Sequence, residues 1–327
     1  MRQQEFIKGL HNLKARHQGC VATIGSFDGV HRGHQAVLQQ VKDKAKELSL
    51  PSLVMVFEPL PYEYFSKESA PARLMRLREK VLALFNNDID RVLCLKFNEA
   101  LRSLTAQEYV EKVLVDGIGV RHLVIGDDFR FGCDRSGDFE MLIKSGRSHG
   151  FSVCDTNTQL ERNERISSTR IRKLLADNQL DKAGDLLGRS YCISGRVIYG
   201  KQLGRTLGFP TLNIGLGRHR SPVQGVYAVR VQRGVNSGLV AANSIAENTP
   251  KLWHGVANVG VRPTVDGVSK PLLEVHLLDS NIDLYGEFLT VEFQHKIREE
   301  QRFSGIEHLK SQIQKDVYSA REYFEAN

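Results

Sequence analysis

No run of this 327-residue chain is apolar for long enough to cross a bilayer. The opening residues, Met1 to Leu10, carry charges and lack an apolar core, so no signal peptide is expected. The five cysteines (Cys20, Cys94, Cys133, Cys154, Cys192) are scattered and make no CxxC pair. That spacing excludes common zinc sites and fits small buried thiols in a reducing, cytoplasmic compartment. There is no lysine/arginine block, no RNA-binding aromatic signature and no zinc-finger spacing. Neither a membrane nor nucleic acid is therefore expected as a partner. The net charge of +7 permits nucleic-acid binding but suits small phosphate ligands equally well, which leaves nucleic acid as the runner-up.

At 41% hydrophobic and 25% charged, the composition is that of a globular protein, and the length suffices for two domains. The first half alternates. Strand-like apolar runs at 20–24, 53–57, 91–97, 122–125 and 151–154 are separated by helical patterns at 35–48, 74–85 and 105–115. This predicts an α/β, Rossmann-like domain with a mostly parallel sheet and helices on both faces. Its ligands would bind beyond the carboxyl ends of the strands. A helix over 180–187 stops at Gly188, which sets the expected boundary between domains 1–187 and 188–327. From Tyr191 period-two runs dominate, at 191–199, 225–231, 272–278 and 287–295. They predict an antiparallel β-barrel or sandwich. A terminal helix from about Gly305 should open with a capping box, Ser304-x-x-Glu307, and carry Ile306, Leu309, Ile313 and Val317 as its apolar stripe. The polar connection 233–251 reads as an exposed hairpin loop.

Six stretches carry chemistry. Ile24-Gly25-Ser26-Phe27-Asp28-Gly29-Val30-His31-Arg32-Gly33-His34 is a strand end, a glycine turn and a helix start. Free N–H groups and the helix dipole converge there, which suits phosphate. His31 and His34, three apart, share a face. Such a pair can grip phosphate, bind metal or merely cap the helix. The loops Phe57-Glu58-Pro59-Leu60-Pro61 and Gly126-Asp127-Asp128-Phe129-Arg130-Phe131-Gly132 follow strands and offer aromatic faces with polar groups, as a planar ring requires. Ordinary turn chemistry explains them equally well. Ser168, Thr169 and Arg172 form a second anion site or a capped surface helix. Gly200, Gly204 and Gly208 recur every fourth position before Thr211 and Asn213, without a Walker A ending. Thr211 and Asn213 point one way on a strand and are hard ligands suited to Mg²⁺, or strand-edge hydrogen bonders. Glu274 interrupts an apolar strand, where a carboxylate is costly unless paired or used. It and His276 share a face. Glu274 is either a base for a hydroxyl attacking a γ-phosphate or half of an outward pair.

The first stretch, G-x-F-D-G-V-H-x-G-H, resembles the H-x-G-H signature of nucleotidylyltransferases. It looks specifically like the adenylyltransferase half of bacterial bifunctional riboflavin kinase/FAD synthetases. The stretches F-x-P-x-P, G-x-D-F-x-F-G and I-S-S-T-x-I-R match the same family. The second half is similar to its kinase, with G-x-x-x-G-x-x-x-G-F-P-T-x-N, L-E-x-H-x-L-D, Asn258-x-Gly260-x-Arg262-Pro263-Thr264, and Ile297-Arg298 to Phe303. Many members have alanine where Leu212 stands and a polar residue where Leu60 stands. The resemblance implies riboflavin kinase activity in the C-terminal domain and FMN adenylyltransferase activity, giving FAD and pyrophosphate, in the N-terminal one. It implies ATP at Gly25, Phe27, Asp28, Ser168 and Thr169, and again at Gly200, Gly204 and Gly208. By the same resemblance, His31, His34 and Arg172 stabilise charge, Phe57 and Asp128 line the FMN pocket, and Arg298 and Phe303 belong to a flavin loop. Thr211 and Asn213 hold Mg²⁺, and Glu274 is the base. The Asn258 motif reads as structural. A monomer or weak homo-oligomer is expected. Two other readings stay open on the residues alone: an adenylyltransferase for another phosphate ester, and a flavin or RNA binder without catalysis.

Overall fold

The computed structural model describes residues 3–66, 68–156, 160–161, 164–200, 203–234, 251–263, 269–280 and 282–327. The chain forms two compact units. The first comprises Met1–Ala70 and Lys80–Ile166, the second Pro71–Glu79 and Ser167–Asn327. Most of the 233–251 connection lies outside the described residues, as do Lys201, Gln202 and Thr264.

In the first unit six parallel strands form one sheet: β1 (Glu5–Lys8), β2 (Cys20–Ile24), β3 (Ser52–Glu58), β4 (Arg91–Lys96), β5 (Val120–Ile125) and β6 (Ser152–Asp155). Their order is β1-β4-β3-β2-β5-β6. Every residue of β2 is buried, as expected for a strand covered on both faces. The edge strand β1 escapes the sequence pattern because only one of its four residues is buried. Helix α1 (Arg32–Glu47) buries Leu38, Val41 and Ala45, the spacing of a single helical face. The helix after Thr105 opens with the expected capping box. Thr105 Oγ1 accepts from the Glu108 N–H at 3.1 Å, and Glu108 Oε2 accepts from the Thr105 N–H at 2.9 Å. It then widens into a π-helical register over Val110–Val115.

The second unit holds α2 (Ser168–Ala176), α3 (Leu180–Leu187) and six antiparallel strands. These are β7 (Cys192–Ile198), β8 (Leu212–Gly215), β9 (Gly225–Arg233), β10 (Leu252–Pro263), β11 (Ser269–Leu277) and β12 (Phe288–Arg298). They close in the order β8-β11-β10-β9-β12-β7, so the structure chooses a barrel over a sandwich. Closure pairs every edge. Leu273, Val275, Ala257, Val259, Val229, Val291 and Phe293 fill the interior. Helix α4 (Ile306–Ala326) covers part of the outer face, where Val317, Ala320, Tyr323 and Phe324 meet Val226, Ala228, Val256 and Leu278. Two expectations for α4 fail. Gly305 is the N-cap, which moves Glu307 out of register for a box, and Ser304 Oγ pairs with His308 Nδ1 at 2.8 Å instead. Ile306, in the first turn, is largely exposed, and packing begins further along the helix.

The segment 71–79 is bound into this unit by a buried ion pair. Glu79 accepts from Arg218 at 3.0 Å and from the backbone N–H groups of Arg76 (2.6 Å) and Ser194 (2.7 Å). Arg218 also donates to the Arg73 and Leu74 carbonyls and to the Tyr191 hydroxyl.

Candidate active sites

In the first unit the chain leaves β2 through Gly25, whose N–H donates to the Met55 carbonyl at 3.1 Å. The turn that follows holds Phe27 (φ 44°) and Val30 (φ 41°) in the left-handed region. For a β-branched valine that conformation is strained. Complete burial of Val30 and near-complete burial of Phe27 hold it in place. Asp28 is buried in the same turn at 1% exposure. His31 is the N-cap of α1, and its Nδ1 accepts from the His34 N–H at 3.2 Å. The two imidazoles stack with centroids 3.6 Å apart and planes 15° apart, and Phe27 lies 4.9 Å from His34. A Cβ on Gly33 would come within 3.2 Å of the His31 ring and of the Ile166 carbonyl, so glycine permits this packing.

On the neighbouring strand, Phe57 is the penultimate residue of β3 and meets Phe97 edge-on at 5.9 Å. Tyr64 and Phe65 complete an aromatic cluster around Phe97. Phe97, Tyr64 and Phe65 were not singled out from the sequence; Phe97 reads as the last residue of a strand. Asp128 follows β5 and pairs with Arg165 at 3.3 Å. Gly25, Phe27, Asp28, His31, His34, Phe57 and Asp128 thus all lie at or just beyond the carboxyl ends of three adjacent strands, β3, β2 and β5.

Ser168, Thr169 and Arg172 belong to the second compact unit. Ser167 caps α2 by accepting from the Arg170 N–H at 3.2 Å. Ser168 and Thr169 form the first turn, and Arg172 Nε donates to the Ala72 carbonyl at 2.6 Å.

The barrel carries the other site. Thr211 stands immediately before β8 and Asn213 lies within it. A Cβ on Gly200 would overlap the Asn213 amide, 2.6 Å from its Cγ. One on Gly204 would press on the Thr211 side chain at 3.2 Å and on the Phe209 carbonyl. Gly208 (φ 87°) has open space around it. His276 Nδ1 pairs with the Pro210 carbonyl at 2.9 Å and ties this loop to β11. Asn213 and Glu274 are directly paired across β8 and β11. Asn213 Oδ1 is buried and has no hydrogen-bond partner among the described residues. A neutral, unused amide oxygen beside a threonine hydroxyl is a donor set that fits a hard cation sharing its other ligands with a nucleotide. Among the described residues no three His, Cys, Asp or Glu side chains cluster as a metal site. A cavity of about 440 Å³ adjoins Thr211 and is walled by Tyr199 and Tyr285, stacked at 4.2 Å. Neither tyrosine belongs to a motif legible in the sequence. Arg298 holds Asp316 of α4 with two bonds of 2.8 and 2.7 Å, and Phe303 lies 5.7 Å from its guanidinium.

A parallel α/β unit with two stacked histidines at a helix N-terminus, in one chain with a barrel that carries a glycine-rich loop and a strand carboxylate, is the make-up of a two-site nucleotide-dependent transferase. The family model for FAD synthetase matches residues 13–170, and that for riboflavin kinase matches residues 187–324. A bifunctional riboflavin kinase/FMN adenylyltransferase from Pseudomonas fluorescens is 51% identical over 317 residues, 97% of each chain. One from Escherichia coli K12 is 49% identical over 321 residues, 98% of each. A solved structure described as a macrolide-efflux protein from Streptococcus pneumoniae aligns with a TM-score of 0.75 at 28% identity, covering 97% of this chain and 98% of that one. No helix among the described residues is long and apolar enough to cross a membrane. The chain belongs to the bifunctional riboflavin kinase/FMN adenylyltransferase family.

Proposed function

We propose that the chain makes FAD in two ATP-dependent steps: riboflavin and ATP give FMN and ADP, then FMN and a second ATP give FAD and pyrophosphate. The observation that carries this reading is the pairing of Asn213 with Glu274 in one half and the stacked His31–His34 pair at a helix N-terminus in the other. The division of labour follows residues 1–187 for adenylyl transfer and 188–327 for the kinase.

In the kinase half Glu274 takes the proton of the riboflavin 5′-hydroxyl as it attacks the γ-phosphate. Gly200, Gly204 and Gly208 let the backbone cradle ATP, and the Tyr199–Tyr285 wall gives the cavity beside Thr211 an aromatic lining suited to a planar ring. Thr211 and Asn213 would hold Mg²⁺, which supplies charge neutralisation on the phosphates when bound. Arg298 and Phe303 belong to the flavin side of this site.

In the adenylyltransferase half the FMN phosphate is already an anion at neutral pH, so the step needs no general base. Gly25, Phe27 and Asp28 shape the turn that receives ATP. His31, His34 and Arg172 stabilise the charge that develops on phosphorus, and Ser168 and Thr169 contribute a second anion site. Phe57 and Asp128 receive the FMN ring system. The partners are riboflavin, FMN, FAD and ATP, with neither nucleic acid nor membrane required. A monomer or weak homo-oligomer in the cytoplasm completes the reading, and five free thiols support a reducing compartment.

The test is a time course with purified protein, riboflavin and Mg-ATP. FMN should rise first and FAD follow, with one pyrophosphate released per FAD. Unchanged riboflavin alongside adenylyl transfer to another phosphate ester would overturn the reading.

A further inference from the structure

Asn258 belongs to a motif that reads from sequence as structural, yet the barrel register puts it in line with the kinase residues. Asn213, Glu274 and Asn258 are directly opposite one another on β8, β11 and β10. Directly paired residues share a face and stand about 5 Å apart. The face is the outer one, since the alternate residues Leu273, Val275 and Val259 fill the barrel interior. Along β10 that face is divided. His254 stacks on Phe324 of α4 at 3.9 Å, and Val256 is buried beneath the same helix. Gly260 lies under the Glu300 carboxyl group, whose Cδ would be 2.7 Å from a Cβ there. Between Val256 and Gly260 stands Asn258. Its Oδ1 is buried and has no hydrogen-bond partner among the described residues. A buried amide acceptor without a donor is costly, and a substrate hydroxyl would satisfy it.

The order of the row assigns the donor. On the reading proposed above, which this inference rests on, the cation and phosphates lie at the Asn213 end and the attacking hydroxyl at Glu274. An in-line attack sends the remainder of the alcohol away from the phosphates, toward Asn258. The alcohol is the end of a polyol, with a further hydroxyl on the neighbouring carbon. We infer that Asn258 is a substrate-binding residue of the kinase, whose Oδ1 accepts a hydrogen bond from the ribityl 4′-hydroxyl and so aligns the 5′-hydroxyl with Glu274. The site would thereby select a vicinal polyol over a simple primary alcohol.

The experiment compares riboflavin with 4′-deoxyriboflavin in the full-length chain and in Asn258→Ala and Asn258→Ser. The native chain should use the deoxy analogue with kcat/KM lower by about ten- to a hundredfold, the usual penalty for a buried acceptor left unpaired. Asn258→Ala should lower kcat/KM for riboflavin by a similar factor while leaving that for the deoxy analogue, the KM for ATP and FAD formation from supplied FMN unchanged. An equal fall with both flavins, or no change with either, in both variants would overturn the assignment. Glu274→Gln in the same assay separates the two claims. Its inactivity alongside unaffected Asn258 variants overturns Asn258 alone, whereas full activity of Glu274→Gln overturns the base reading beneath it.

Discussion

His31 Nδ1 accepts a hydrogen bond from the His34 backbone N–H at 3.2 Å while the two rings stack. One side chain therefore ends a helix and forms half of an imidazole pair. The two roles separate by substitution. Asparagine is a good N-cap, so His31→Asn should keep the helix start, while His31→Ala should cost about 1 kcal/mol of stability. Both should lower FAD formation from FMN by about a hundredfold or more, the scale of losing a charge-stabilising donor. Both should leave FMN formation from riboflavin within about twofold of the parent. Thermal melts and separate assays of the two steps check this. Retained FAD formation in His31→Asn would reduce the histidine to a cap.

Gly200 lies against the Asn213 amide so closely that a methyl group there must displace it. Gly200→Ala should therefore lower the kinase rate by at least about tenfold, through loss of a correctly placed ligand. Adenylyl transfer to supplied FMN should be unaffected. Kinase kinetics at saturating and limiting Mg-ATP read the effect. An unaltered kinase would show that Asn213 can move without consequence.

The Glu79–Arg218 pair, 0% exposed on the arginine side chain and 6% on the glutamate, ties segment 71–79 to the barrel. Removing one partner strands a buried charge, so Arg218→Ala or Glu79→Ala should each destabilise the second unit by about 3–5 kcal/mol. A fragment of residues 188–327 keeps Arg218 without Glu79 and should be weakened in the same way. Urea titrations followed by intrinsic fluorescence and circular dichroism measure this. A midpoint unchanged from the parent would show that water or another group compensates.

Stability should fall in alkaline solution. Burial pushes the thiols of Cys20 and Cys94 up to about 12 and about 11, from a usual value of 9.0. Burial likewise raises the Tyr109 hydroxyl. These groups ionise first in the unfolded chain, which then binds fewer protons than the native state. Their contribution is complete below pH 9 and is lost as pH rises toward 11–12. The loss per thiol is on the order of 1 kcal/mol by pH 10. Denaturant midpoints between pH 8 and 11 test the slope. At pH 8 a thiol at about 12 is ionised about a thousandfold less than one at 9, so alkylation of native protein should spare Cys20. Labelling of Cys20 at the rate of an exposed thiol would contradict its burial.

The sequence by itself determined whatever depends on near neighbours along the chain. The buried run of β2, the glycine turn, the helix that buries Leu38, Val41 and Ala45, the Thr105–Glu108 capping box and the Gly188 stop all follow from residues within a few positions of one another. The alternation of Leu289, Val291 and Phe293 likewise identified the buried face of β12. Tertiary structure decided what depends on register and on distant segments. The position of Asn258 beside Glu274 needs the pairing of β10 with β11, which no local period encodes. The Ala72 carbonyl that receives Arg172 is a hundred residues away in the chain, and Glu79 is still further from Arg218. His31 became a cap because the turn before it is held by burial of Phe27 and Val30. Backbone propensity acts over one or two turns, while cross-strand neighbours and buried charges find their partners only when the whole chain has closed.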